Sequence, residues 1–156
     1  MLKQLEDLSL AAEGRYATAR ELQFIRDYIK TVDLRLSAYQ KIRDAEDEIL
    51  DRLEAKIRQI QSNSFQSGSE NTASVCGRDT KKVLRNTTAA MLTGDLDRLR
   101  EHLLLWQRII VKAFKIDRAA MMVHSNMPEI IQQFLTPEEF ESILPILQLN
   151  QAVLAD

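Results

Sequence analysis

"DLRLSAYQKIRDAEDEILDRLEAKIRQI", residues 33–60, repeats an apolar side chain every three or four positions and fills most other positions with charge. The apolar series in its second half is Ile42, Ala45, Ile49, Leu53, Ile57 and Ile60. This spacing puts the apolar side chains on one face of an α-helix and leaves the opposite face to water. The same period begins upstream, at Leu22. We therefore expect a long helix that reaches Gln61, with a separate helix start at Asp33 as the alternative.

The segments that flank this stretch carry the end signals of helices and loops. A short N-terminal helix has one leucine stripe, formed by Leu2, Leu5 and Leu8. Gly14 is expected to end it, since glycine tolerates the backbone at a helix end. Thr18 and Glu21 then have the spacing of a capping box, in which each side chain bonds the other residue's main-chain amide. On the far side, the polar sequence SNSFQSGSE at residues 62–70 predicts a loop.

Two further helices are predicted after this loop. The first covers residues 71–93 and ends at Gly94, and Asp95 caps the second. The apolar stripe of this second helix is Leu96, Leu99, Leu103, Trp106, Ile110 and Ala113. We expect that stripe to face the core.

The C-terminal third predicts two more helices. One starts near Asp117. The other begins at residues 136–139, Thr-Pro-Glu-Glu, where a second capping box coincides with proline at the first helical position. We expect Pro145 to kink this helix or to end it early, because proline lacks the main-chain N–H that a helix interior uses.

Composition supports one all-helical domain over residues 1–156. Glycine (4) and proline (3) are scarce, and strand-length runs of β-branched residues are missing from the sequence. About seven helices of unequal length fit a globin-like packing better than a four-helix bundle. A net charge of -2 gives no reason to expect nucleic acid as a partner. No stretch has the length and apolarity of a membrane span, and one cysteine favours a reducing cytoplasm over a disulfide framework.

The sequence offers little for catalysis. It lacks the phosphate-binding, nucleophile-elbow and zinc-protease motifs, and its two histidines lie on different predicted helices. Its carboxylates follow the solvated faces of helices. A haem globin with His102 as axial ligand is a distant alternative. We expect a binding protein and not an enzyme.

Cys76 is the remaining candidate for chemistry. A lone cysteine is by default a small buried hydrophobe. Here Asp79 follows three residues later, on the same face of a helix, and the long side chain of Arg78 can bend back toward both. A thiol, a carboxylate and a guanidinium together suit a ligand with an electrophilic carbon, NH groups and acid groups. A linear tetrapyrrole has all three.

At this point the sequence resembles the phycobiliprotein family. The motif Cys76-Gly77-Arg78-Asp79 is followed at the family's spacing by Gly94-Asp95. Upstream, residues 11–30 (AAEGRYATARELQFIRDYIK) and residues 33–50 are similar to the family's N-terminal stretch and second helix. The similarity runs from Ala11 to about Ile110 and is looser beyond. In the C-terminal third, only the start of the helix at residues 135–140, LTPEEF, resembles the family.

The resemblance implies a globin-like core, residues 34–156, preceded by an N-terminal helical hairpin, residues 1–33. It also implies a phycocyanobilin-type bilin joined to Cys76 by a thioether. Asp79 would accept hydrogen bonds from the NH groups of the two central rings, and Arg78 would pair with a propionate. Lys82 is either a second propionate partner or a solvated lysine.

The role implied by the resemblance is light harvesting and energy transfer in or near phycobilisomes, or the handling of bilins. A pigment-free regulatory or protein-interaction module is the alternative. The expected partners are a second copy or a related phycobiliprotein-like subunit, contacted through residues 1–35, and also a bilin lyase or bilin-biosynthesis proteins. The expected location is the cytoplasm, including its face of the thylakoid membrane.

Overall fold

The computed structural model describes residues 1–60 and 70–155, with side chains at 1–60 and 77–155. Within these ranges the chain is all-α, without a strand, in a globin-like arrangement. The helices are α1 Leu2–Ala11, α2 Gln23–Asp44, α3 Glu46–Ile60, α4 Glu70–Thr93, α5 Leu96–Leu99, a π-helical turn Arg100–Leu104, α6 Leu105–Phe114, α7 Asp117–Gln132 and α8 Pro137–Leu154. The predicted fold class is confirmed. None of the described helices is both long and apolar enough to cross a membrane.

The long helix predicted up to Gln61 is two helices, which meet at Ala45. The backbone there has φ -100 and ψ 9, outside regular helix, although the Ala45 N–H still bonds the Lys41 carbonyl at 3.0 Å. Three acids, Glu46, Asp47 and Glu48, form the first turn of α3, where the positive end of the helix dipole favours them. The break lets α2 pack on α4 and α8 while α3 packs on α7. The alternative start at Asp33 is also wrong, because α2 runs through it unbroken.

The N-terminal segment follows the predicted capping pattern. Gly14 has a φ of 78 in the turn after α1. The Thr18 N–H donates to the Glu21 carboxylate at 2.7 Å, and the Glu21 N–H donates to the Thr18 hydroxyl at 3.3 Å. Regular helix begins only at Gln23. The Arg15 guanidinium, together with Thr18, lowers the pKa of Glu21 to about 2. These contacts hold the turn between α1 and α2.

The core lies between α2, α3, α4, α7 and α8, with Leu99 of α5 and Leu103 and Leu104 of the π turn also part of it, and α7 and α8 make its most extensive contact. Two polar contacts set how α8 lies on its neighbours. Asn150 donates to the Thr87 hydroxyl at 2.6 Å, joining α8 to α4 inside the core. Glu139 accepts from Lys41 and Ser37 of α2, each at 2.7 Å. Burial alone would raise the pKa of Glu139, but these hydrogen bonds outweigh it and hold the value at about 2.

The apolar stripe predicted for residues 96–113 is correct at Leu99 and Leu103, but wrong at Leu96, which is 41% exposed, and beyond Leu103. Trp106 is 57% exposed and Ala113 is exposed, whereas the buried positions after Leu103 are Leu104, Gln107 and Val111. The cause is the π turn, which takes up one more residue than an α turn. Every later side chain is therefore rotated, and the inward face moves one position along the sequence.

The predicted end of α4 is present in the structure, whereas α8 continues past its predicted early end. α4 ends as expected: Gly94 has a φ of 64, and the Asp95 N–H bonds the Ala90 carbonyl at 3.2 Å, as in a Schellman motif. Asp95 caps α5 through the Arg98 N–H. The capping box of α8 is present, but the helix continues through Pro145 to Leu154, so the predicted early end is wrong. Except for Glu70, the predicted loop at 62–70 lies outside the described residues.

Candidate functional site

Helix α4 carries all four residues of the predicted ligand site. Cys76 lies in its helical backbone, and its side chain is outside the described part of the chain. Arg78, Asp79 and Lys82 follow within two turns. Among the described residues, no heavy atom lies within 4 Å of a Cβ placed at Gly77, so those residues leave open space beside α4 at this point. The helix therefore presents the motif next to an uncrowded surface.

Of Arg78 and Asp79, Asp79 is the one that faces inward. Its side chain is 18% exposed, and its Oδ2 accepts a hydrogen bond from the Nε2 amide of Gln107 at 3.0 Å. Gln107 lies on α6 and is itself buried. A partly buried carboxylate of this kind keeps lone pairs for other donors. It is suited to bind N–H groups at the bottom of a cleft.

Arg78 points away from the protein. Its side chain is 77% exposed, and its Nε lies 3.8 Å from Asp79 Oδ1. A loose pair at this exposure contributes little to stability, since both charges remain hydrated. The guanidinium is therefore free to turn toward a carboxylate on a ligand, which its planar fork can bind through two hydrogen bonds.

Asp79 lies at the wall of a narrow cleft between α4, α6 and α7, here termed the Asp79 cavity. The cavity volume is about 50 Å³, enough for a few water molecules. Its lining is mostly apolar and consists of Asp79, Thr80, Val83, Gln107, Val111, Ile116, Ala119, Ala120, Val123 and His124. A large ligand must displace side chains to enter, and a ligand that binds Asp79 must also compete with its hydrogen bond from Gln107.

His124 is a second titratable group at this cavity. It is 7% exposed on α7, and burial lowers its pKa to about 4. Among the described residues, none forms a hydrogen bond with its imidazole. The ring is therefore neutral near pH 7 and offers the cavity one N–H donor and one acceptor nitrogen.

Lys82 lies on a different face of α4. It lines a separate and larger cavity with residues of α1, α5 and the π turn, and Asp79 does not line that cavity. His102, considered above as a haem ligand, also lines this second cavity and is exposed. The structure thus brings Arg78 and Asp79 together and sets Lys82 apart from them.

Gln107 and His124 were missed as site residues. The unbroken helical period placed Trp106 and not Gln107 on the inward face, because no sequence signal for the π turn was identified. His124 carried a usable signal, namely an ionisable residue within the apolar segment of α7. An ionisable residue on a buried helix face is a candidate for a site wherever a cavity adjoins it.

The match to a protein-family model covers almost the whole chain. Residues 8–152 match the model of a family described as phycobilisome protein. The chain belongs to the phycobilisome protein family. The resemblance inferred from the sequence is confirmed, and the match includes α4 with its Cys76-to-Lys82 segment as well as α6 and α7, which complete the Asp79 cavity.

Two curated relatives are allophycocyanin alpha-B chains. That of Pyropia yezoensis is 36% identical over 89 residues, covering 54% of this chain and 55% of the relative. That of Cyanidium caldarium is 30% identical over 87 residues, covering 53% of each. The chain therefore matches these relatives over about half of their length.

Proposed function

We propose that this family member binds an open-chain tetrapyrrole in the Asp79 cavity, joined to Cys76 by a thioether. The observation that carries the proposal is the position of Asp79, a partly buried carboxylate on α4 three residues after the only cysteine of the chain. Family membership supports it, since the resemblance to phycobiliproteins implies this ligand class. The bound pigment would supply light absorption, with no turnover by the protein.

Each residue of the motif has a defined task. The Cys76 thiol adds across a carbon–carbon double bond of the ligand: sulfur bonds one carbon, and the thiol proton passes to a carbon of the conjugated system, so no oxidant is needed. Asp79 accepts hydrogen bonds from pyrrole N–H groups and stabilises their protonated, cationic form. Arg78 binds a propionate at the mouth of the cavity.

Gln107 must release Asp79 before those N–H groups can bind. The exchange replaces a hydrogen bond from a neutral amide by one from a cationic donor. Both hydrogen bonds have the ionised Asp79 as acceptor, but the cationic donor adds a Coulomb attraction that the neutral amide lacks. The exchange is therefore favourable at Asp79 itself, while the rearrangement of the cavity opposes it.

Lys82 is a weaker candidate for the same ligand. Because its side chain lines a separate cavity, it would contact a propionate only if the ligand extended across the surface of α4. Arg78, which lies beside Asp79, is the better placed partner. We keep Lys82 as a secondary contact in the proposal.

A partner subunit, either a second copy or a related family member, is proposed to cover the N-terminal segment, residues 1–35. No residue of α1 is buried, and Leu2, Leu5 and Leu10 are 44%, 37% and 69% exposed. A short helix with uncovered leucines gains stability when another surface covers them. Bilin lyases or bilin-biosynthesis proteins would be transient partners, and the thylakoid surface the place of action, in keeping with light harvesting or bilin handling.

A pigment-free regulatory or interaction module is the second candidate. Two observations favour it: the Asp79 cavity is small, and Gln107 already provides Asp79 with a hydrogen bond. In this alternative the cavity stays closed, and the exposed face of α1 carries the function by binding a partner.

The presence or absence of covalently bound pigment distinguishes the bilin-binding protein from the pigment-free module. The full chain is coexpressed with a phycocyanobilin pathway and a range of lyases, and covalent pigment is detected by zinc-enhanced fluorescence on a denaturing gel. We expect a fluorescent band that Cys76→Ala abolishes and that Arg78→Gln retains, because Arg78 takes no part in the covalent bond. Circular dichroism should show the same helical content in all three proteins. A colourless wild type, or pigment that survives in Cys76→Ala, would refute the thioether and favour the alternative.

A further inference from the structure

The second cavity, termed here the basic cavity, lies between α1, α4, α5 and the π turn. Its volume is about 620 Å³, within the usual range for sites that bind small molecules. It shares no lining residue with the Asp79 cavity. Its lining residues are Leu2, Lys82, Asn86, Ala89, Ala90, Thr93, Asp95, Arg98, Leu99, His102 and Leu103.

Three basic side chains line this cavity: Lys82, Arg98 and His102. Within the described part of the chain, none of them forms an ion pair. The neighbouring basic residues on α4 behave differently. Lys81 lies 2.9 Å from Glu46 and Arg85 lies 2.5 Å from the same carboxylate. The positive charges on the α3 side of α4 are therefore neutralised, and those facing the basic cavity are not.

One acid is present among the described lining residues, and it is already engaged. Asp95 is 9% exposed, and its Oδ1 accepts the main-chain N–H of Arg98 at 3.3 Å as the cap of α5. Against this single negative charge stand the ammonium of Lys82 and the guanidinium of Arg98. The cavity as a whole is positively charged, and its basic groups have unused N–H donors.

The remaining wall is apolar. Leu99 and Leu103 are buried, and Leu2 of α1 covers the other side. Arg98 and His102 are four residues apart, as are Leu99 and Leu103, so basic and apolar side chains run side by side along α5 and the π turn. π turns are frequent at functional sites. The cavity thus combines an apolar surface with adjacent positive charge.

We propose that the basic cavity binds a small organic anion, with an apolar body against Leu2, Leu99 and Leu103 and a carboxylate or phosphate group held by Lys82 and Arg98. Arg98 and Lys82 supply the charge, and His102 adds a hydrogen bond. The site lies outside the Asp79 cavity and shares only Lys82, a secondary contact there, with the pigment proposal.

The probe for this site is the fluorescent aromatic sulfonate 8-anilinonaphthalene-1-sulfonate, titrated into the full chain at neutral pH. We expect saturable binding of one molecule per chain, which weakens as salt is added because the contacts are charged. The double variant Lys82→Gln/Arg98→Gln should bind the probe with an affinity reduced at least about fivefold. Arg108→Gln/Lys115→Gln, which removes the same charge at exposed positions outside the lining, should bind like the wild type.

Competition identifies the anionic group. Displacement of the probe by dodecanoate at lower concentration than by inorganic phosphate supports a carboxylate with an apolar body; the reverse order supports a phosphate. Failure of both to compete overturns the proposal, as does unchanged affinity in Lys82→Gln/Arg98→Gln. Loss of probe binding in Asp79→Asn but not in that double variant also overturns it, since the probe would then lie in the Asp79 cavity. Cooperative thermal unfolding of each variant verifies that the probe reports a folded chain.

Discussion

Lowering the pH from 7 toward 4.5 is expected to destabilise this chain through a single buried side chain, His124. The imidazole is 7% exposed, and burial lowers its pKa to about 4 from the ordinary value of 6.5. Between these two values the unfolded chain binds a proton at this position and the folded chain does not. The free energy of unfolding therefore falls as the pH drops through this window. The contribution of the neutral His124 is fully present only above the pKa that histidine has in the unfolded chain.

The magnitude follows from the separation of the two pKa values. One pKa unit corresponds to about 1.4 kcal/mol, so by pH 4.5 protonation of the unfolded chain should lower the free energy of unfolding by about 2.5 kcal/mol. Acidic residues whose pKa is lowered by hydrogen-bond partners affect the free energy of unfolding only at lower pH. Glu21, Glu46 and Glu139 each have a pKa of about 2, and the stability they provide is lost only as the pH falls from about 4.5 toward 2. The range from pH 6.5 to 4.5 therefore isolates His124 from these three carboxylates.

Urea unfolding at a series of pH values across this range measures the effect. In His124→Leu the slope with pH should largely disappear, and stability at pH 7 should be at least that of the wild type, since among the described residues none bonds the ring. His102→Gln is the matched control, because His102 is the other histidine of the chain and is exposed. It should keep the wild-type slope. A His124→Leu protein that loses stability with falling pH as steeply as the wild type would refute the assignment.

The other two predictions concern the pigment and the assembly. In pigmented protein, Asp79→Asn should weaken the long-wavelength absorption band or shift it to the blue and lower the pKa of the pigment, because it removes the anion that stabilises the protonated rings; an unchanged spectrum in a pH titration would show that Asp79 does not contact them. Deleting residues 1–14, which removes α1, should turn a dimer into a monomer that still contains the pocket helix α4. Sedimentation at micromolar concentration measures the change in mass. A full-length chain that sediments as a monomer would count against the proposed partner surface.

The helix ends were predictable because their signals are local. The capping box at Thr136 begins α8 as expected, and α4 ends at Gly94 with the left-handed backbone that glycine favours. The Thr18–Glu21 hydrogen bonds also form, but α2 begins only at Gln23. In each case the residues that decide the structure lie within three or four positions of one another. Local rules failed where tertiary packing acts against them. Pro145 stays inside α8: it is itself exposed, while Ile143, Ile146 and Leu147 around it are buried in the core and keep the helix in place.

The period of apolar residues predicted that helices form, but not where one helix becomes two. The series through Ile42, Ala45 and Ile49 continues across the junction of α2 and α3 without a change in spacing. The junction at Ala45 is decided by what each half packs against: α2 lies on α4 and α8, and α3 lies on α7. A single straight helix would leave one of these faces uncovered.

The sequence alone determined that Arg78 and Asp79 follow Cys76 on one helix, since their separation is set by covalent connection and helical geometry. Only the tertiary structure decided which groups meet that helix from outside. Gln107 reaches Asp79 because a π turn rotates α6, His124 joins the same cavity from α7, and Lys82 turns to a different cavity. These arrangements depend on the relative rotation of packed helices. That rotation comes from the sum of many weak contacts across the core, and no local spacing of residues encodes it.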